Sequence, residues 1–218
     1  MPIRAVLLDL FDTLAYSDWD VWLVQLAEAV GCTTEELRRG YHHTRLDRNT
    51  GAYPTEEDAA RELLLAAGVV NPDNEHLARF MDVEQQLRDH VTLFEDSLPA
   101  MRAMREGGLT TAVVSNCSFG TRGIVERLGL DTAADATVLS YELGARKPDP
   151  AIYRAALDAL EVAPGDAVFV DDQTDYCDGA RALGIDTRLI LRADARPTEG
   201  FAPTTNGHQV ITDLTAVV

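Results

Sequence analysis

The chain has 218 residues, 46% hydrophobic and 25% charged. That length and composition exclude a wholly disordered chain and suit one α/β domain, alone or with a small insertion. With 19 basic against 36 acidic residues the formal net charge is −17, which argues against nucleic acid or an anionic membrane as partner.

Ile3 to Leu8 is a near-continuous apolar run, the pattern of a strand buried on both faces. It leads into Asp9-Leu10-Phe11-Asp12-Thr13-Leu14. From about Asp18 to His90 the pattern is helical. Trp19, Trp22, Leu23, Leu26 and Val30 share one helical face. Thr33 or Thr34 caps a second helix, Pro54-Thr55-Glu56-Glu57 opens a third that Gly68 stops, and Pro72-Asp73 opens a fourth. After His90 the rhythm becomes strand and helix in alternation. Helices are predicted over Leu98–Glu106, Phe119–Leu128 and Pro150–Leu160, with another through Gly179–Leu183. Strands are predicted over Leu109–Val114, Ala136–Leu139, Ala167–Val170, Thr187–Leu191 and Gln209–Thr212. The segment Asp194 to His208 reads as a flexible loop. Such alternation implies an α/β fold, a doubly wound parallel sheet with an all-helical insertion. The expected division is a core of residues 1–15 and 92–218 and a helical cap of 16–91. No apolar run approaches the ~20 residues of a bilayer span, and no secretory signal is read. Cys32, Cys117 and Cys177 lack the spacing of a disulfide framework or a zinc site, so a cytoplasmic location is expected.

Ligands of open parallel sheets bind beyond the carboxyl ends of the strands. Four predicted strands end in, or lead to, Asp9, Ser115-Asn116, Lys147 and Asp171-Asp172. Pooled on one rim, these carboxylates need a cation, and hard oxygen ligands select Mg²⁺. A metal site beside a lysine suits phosphoryl transfer.

Asp9-Leu10-Phe11-Asp12-Thr13-Leu14, Val113-Val114-Ser115-Asn116, Lys147-Pro148-Asp149-Pro150 and Val170-Asp171-Asp172 with Gly179-Ala180 resemble the four ordered motifs of the haloacid dehalogenase-like (HAD) hydrolase superfamily. The resemblance implies a Rossmann-like core with a small helical cap. It casts Asp9 as the nucleophile, forming an aspartyl-phosphate. Ser115 then binds a phosphoryl oxygen with the Asn116 backbone N–H, and Lys147 balances charge. Asp9 and Asp172 ligate Mg²⁺, with Asp171 as a second ligand or an outer acceptor. Phe11 and Asn116 are read as substrate contacts.

Two departures stand out. Phe11 occupies the place where phosphatases of this family carry an acid/base aspartate, and Asp12 follows one residue later. On an extended segment that shift turns a side chain to the other face. Asp12 is therefore open between an acid/base role and a structural one. Tyr176 stands where Asp or Asn is usual, next to Asp175. The expectation is a Mg²⁺-dependent phosphatase of a small phosphorylated metabolite, favouring acyl or aryl phosphates because the usual acid is missing. The alternatives are a metal-free 2-haloacid dehalogenase, which an aromatic at position 11 resembles, and a non-catalytic binding protein of the same fold. A monomer or homodimer is expected. Arg45 and Arg48 of the helical block read as solvated charges able to meet an anionic substrate.

Overall fold

The computed structural model describes residues 2–192 and 204–217. In chain order the elements are β1 (Ala5–Leu8), β2 (Ala15–Tyr16), α1 (Trp19–Val30), α2 (Thr34–Asn49), α3 (Glu56–Ala67), α4 (Asn74–His90), β3 (Thr92–Leu93), α5 (Ser97–Glu106) and β4 (Thr110–Ser115). There follow α6 (Thr121–Arg127), α7 (Leu130–Ala133), β5 (Ala136–Leu139), α8 (Ser140–Leu143), α9 (Pro150–Ala159), β6 (Ala167–Asp171), α10 (Thr174–Arg181), β7 (Asp186–Ile190) and β8 (Gln209–Ile211).

β1 is fully buried, and its side chains alternate between two cores. Val6 and Leu8 join Val113, Val168 and Val170 in one, whereas Ala5 and Leu7 join Val114, Phe169 and Tyr153 in the other. Both faces of the strand are covered, so the sequence shows an unbroken apolar run instead of alternation. Six strands form one parallel sheet in the order β5-β4-β1-β6-β7-β8. The chain steps outward from β1 through β4 to β5, then returns to β6 on the other side of β1. The crevice at the carboxyl end of β1 is therefore a topological switch point, where doubly wound sheets take ligands.

The four helices α1–α4 lie between β2 and β3 and share their own apolar cluster, with Leu23, Leu26, Leu37, Leu63 and Phe80 at its centre. Trp22 is buried, and Trp19 packs on the rim of this cluster. Thr33, not Thr34, caps α2, in a reciprocal pair with Glu36. Thr55 and Asp73 cap α3 and α4. Gly40 lets α2 lie against α3, since a Cβ there would come within 2.7 Å of the Leu63 carbonyl. β2 and β3 pair antiparallel, Ala15 with Leu93 and Tyr16 with Thr92, so both crossings between helices and sheet run side by side.

Observed and expected elements differ mainly at their ends. The last long helix starts earlier, at Thr174, and stops at Arg181, where Ile185 N–H turns back to the Ala180 carbonyl and Gly184 takes a φ of +86°. The single-turn helices α7 and α8 and the two-residue strands β2 and β3 are too short to leave a periodic signal. The loop expected over Asp194 to His208 lies for the most part outside the described residues. Among the described residues, no helix is long and apolar enough to cross a membrane.

Candidate active site

Register decides which residues meet at the switch point. Leu8 pairs with Val170 and Val113, so the next residue, Asp9, stands level with Asp171 at the end of β6. The Asp9 N–H donates to the Val170 carbonyl at 3.0 Å, which extends the ladder by one step. Ser115 closes β4, and Lys147 arrives from the loop after α8.

The Lys147 ammonium is buried and donates to Asp9 Oδ1 at 2.5 Å and to Asp171 Oδ2 at 2.6 Å. It lies 5.4 Å from the centre of the Phe169 ring and 5.2 Å from that of Tyr176. Burial alone would push this ammonium down, but Asp171 and Asp9 outweigh it and hold it above the ordinary lysine range. Asn116 fixes the lysine's backbone from both sides. Its Nδ2 donates to the Lys147 carbonyl at 2.9 Å, and its Oδ1 accepts from the Lys147 N–H at 2.7 Å. The Asn116 side chain is thus committed to Lys147, and its backbone N–H is the part available to the substrate role inferred from sequence.

Asp9, Asp171 and Asp172 each present a carboxylate oxygen within 4.8 Å of the others. One lysine cannot neutralise three carboxylates. Burial raises the Asp9 carboxyl against the pull of Lys147. Asp171 is pushed up to about 7, by burial and then by Asp9, with Lys147 opposing. Asp172 is pushed up to about 9, by burial and by Asp171, Asp9 and Asp12. Gln173 holds the pair in place. Its N–H donates to Asp171 Oδ1 at 2.7 Å, and its side-chain amide donates to Asp172 Oδ2 at 2.5 Å. An all-oxygen donor set with surplus negative charge fits one hard divalent cation.

The loop after Asp9 is a tight turn and not an extended segment. Leu14 and Ala15 N–H both return to the Leu10 carbonyl, at 2.9 and 2.8 Å. Asp12 takes a φ of +59°, in the left-handed region that favours glycine. The alternation that would turn Asp12 away therefore does not apply. Its side chain reaches solvent, yet the surrounding protein and the Asp9 charge push its carboxyl up to about 6. Phe11 is half-buried and packs against the core on the β1 side of Val6 and Leu8. Three hydroxyls are buried without a partner among the described residues: Ser115 Oγ at the end of β4, Thr13 Oγ1 in the turn after Asp9, and Thr111 Oγ1 at the other end of β4. Such donors are costly unless an acceptor meets them.

Two features escaped the sequence. Gln173 was signalled only by its place two residues after Asp171, the spacing of a local carboxylate turn. The unpartnered Thr13 hydroxyl carried no signal of its own. Tyr176 does not join the carboxylates. Its hydroxyl accepts from Arg45 on α2 at 3.1 Å and from Arg146 at 3.0 Å. Asp175 is exposed. Arg48 turns back into the helical unit, onto Thr44 Oγ1 and the Tyr41 carbonyl, leaving Arg45 alone to face the sheet.

Residues 3–184 match the family model of haloacid dehalogenase-like hydrolases. The chain belongs to that family. This HAD-like hydrolase is 28% identical over 211 residues to (S)-2-haloacid dehalogenase 1 of Pseudomonas sp. (strain CBS-3), covering 93% of this chain and 90% of that protein. It is 26% identical over 204 residues to phosphatase MT3486 of Mycobacterium tuberculosis (strain CDC 1551 / Oshkosh), covering 88% and 89%. Its fold matches that of a HAD family enzyme of Bacteroides thetaiotaomicron crystallised with magnesium and inorganic phosphate. The TM-score is 0.70 at 20% identity, over 90% of this chain and 98% of the other. Relatives on both sides, dehalogenase and phosphatase, thus resemble this HAD-like hydrolase to a similar degree.

Proposed function

We propose that this hydrolase is a Mg²⁺-dependent phosphatase acting on a small phosphorylated metabolite, with the helical unit serving as its cap. The observation that carries this reading is the oxygen cluster of Asp9, Asp171 and Asp172. A nucleophile attacking carbon does not require a second and third carboxylate beside it, whereas a cation bound among them does. Asp9, Asp172 and Asp171 would hold the Mg²⁺, which when bound would supply positive charge next to the phosphoryl oxygens.

The remaining chemistry belongs to the chain's own residues. Asp9 attacks phosphorus, the bond to the leaving oxygen breaks, and an aspartyl-phosphate forms. Lys147 keeps the Asp9 oxygen oriented and offsets the charge of the incoming phosphoryl group. Ser115 Oγ, without a partner among the described residues, donates to a phosphoryl oxygen. Asp12, with its carboxyl near 6, gives a proton to the leaving oxygen and then takes one from the water that attacks the phosphoenzyme. Phosphate departs and Asp9 is restored.

A second reading is supported by Phe11 and by the dehalogenase relative: a 2-haloacid dehalogenase, in which Asp9 attacks carbon. One experiment separates the two. The protein is incubated with an aryl phosphate with and without Mg²⁺, and with a 2-haloacid under chelator. Phosphate release that requires Mg²⁺ and is lost in Asp9→Asn supports the phosphatase. Halide release under chelator overturns it.

A further inference from the structure

We propose that Arg45, Arg146 and Tyr176 form a receptor for a second anionic group of the substrate, so that the preferred substrate is a phosphate ester carrying a carboxylate or second phosphoryl group. This rests on the reading of Asp9 as the reacting centre. In a chain with nearly two acidic residues for each basic one, arginines readily find carboxylates. Here two guanidinium groups converge on one phenol oxygen, at 3.1 and 3.0 Å. Neither makes an ion pair among the described residues. Arg146 Nε is in addition buried without any partner there. Guanidinium forks match planar or tetrahedral oxyanions, and a phenol uses only part of their donor capacity.

The location ties this cluster to the site. Arg146 adjoins Lys147, whose ammonium is 2.5 Å from Asp9 and 5.2 Å from the centre of the Tyr176 ring. Tyr176 is itself braced from below, because Tyr153 Oη donates to its backbone carbonyl at 2.7 Å. Arg45 comes from α2 of the helical unit, so an anion held by both arginines would bridge that unit to the sheet. The two charges therefore select an anionic tail a few atoms from the reacting phosphoryl group and repel a cationic one.

The test is calorimetric binding of phosphonates, which cannot turn over, in the presence of Mg²⁺. The probes are ethylphosphonate, 3-phosphonopropionate, 1,2-ethylenediphosphonate and 2-aminoethylphosphonate. The wild type should bind the anionic-tailed compounds about 10- to 100-fold more tightly than ethylphosphonate, the range of charge-assisted hydrogen bonds, and the amine more weakly. The comparison of carboxylate with second phosphonate identifies which anion is preferred. In Arg45→Gln, a change at an exposed helix position, and in Arg146→Gln, the ratio of anionic to neutral tail should fall to within about threefold of one. If the wild type binds ethylphosphonate but gains nothing from an anionic tail, this inference fails and the phosphatase reading stands. If Arg45→Gln weakens all probes equally, the arginine only joins helix to sheet and the inference fails. If no phosphonate binds, the reading of the Asp9 site fails and this one falls with it.

Discussion

Replacing Lys147 by Met removes the one buried cation between Asp9 and Asp171 while keeping its volume. Both carboxylates lose a hydrogen bond of 2.5–2.6 Å and remain out of water. Breaking a buried pair from one side costs about 3–5 kcal/mol. In a chain of this size about 1 kcal/mol moves the melting temperature by about 2–4 °C, so the metal-free variant should melt some 6–20 °C lower at pH 8. The loss should shrink at acid pH. Asp171 already sits at about 7 in the folded protein, above its unfolded value, and without the lysine it rises further. A carboxyl raised on folding binds its proton more readily in the native state, so stability falls as pH increases through the folded value. The variant should therefore regain roughly 1–3 kcal/mol between pH 8 and pH 5, at about 1.4 kcal/mol for each unit of altered affinity. Lys147 itself adds no pH dependence in that window, because its raised value keeps it charged and its contribution is lost only far above pH 8. Thermal and urea melts of both proteins at the two pH values, in chelator, measure this. An equal loss at pH 5 and pH 8, or one below ~1 kcal/mol, would refute the charge argument.

Three further outcomes are expected. Asp12→Asn should slow an alkyl phosphate by about 10²- to 10⁴-fold and p-nitrophenyl phosphate much less, and should remove the limb near pH 6 from the kcat/KM profile; equal losses on both substrates would remove Asp12 from proton transfer. Added Mg²⁺ should raise the melting temperature more at pH 8.5 than at pH 6, because protons on Asp171 and Asp172 compete with the metal, and Asp172→Asn should lose most of the shift; a pH-independent shift contradicts the assignment. Asn116→Ala releases both hydrogen bonds to the Lys147 backbone and should cost about 1–3 kcal/mol in urea melts while lowering kcat more than it raises KM; unchanged kcat would mean that the clamp is irrelevant to turnover.

The sheet was legible in the sequence because burial on both faces writes a long-range pattern into short segments. Ala5–Leu8 and Ala167–Val170 need apolar residues at every position, and no helix of the insertion shows that. The conjunction of Asp9, Lys147 and Asp171 was legible for a related reason: parallel strands end on one rim. The conformation of Asp12 was not. It depends on a turn closed by Leu14 and Ala15 onto Leu10, in which the two-residue alternation of a strand no longer holds. Arg45 and Arg48, three residues apart on α2, looked alike as charges. Only the packing separates them, since Arg48 bends back over the Tyr41 ring at 4.8 Å while Arg45 reaches Tyr176. The short strands β2 and β3 left no trace in the pattern, because two residues cannot establish a period.

That small ribbon has a mechanical consequence. Leu14 ties it to the sheet side, its carbonyl accepting from the Phe94 N–H at 3.1 Å and from Ser97 Oγ at 2.7 Å. Arg192, just past the end of β7, reinforces the joint by grasping both oxygens of Asp96 and the Thr13 carbonyl and stacking over Phe94 at 4.2 Å. Two strands zipped together resist splaying and independent swivel, and they yield mainly by twisting as one. Any tilt of the four helices must then follow a single arc. Since Thr13 lies three residues beyond Leu10 and four beyond Asp9, torque on the helices is delivered directly to the turn that follows Asp9.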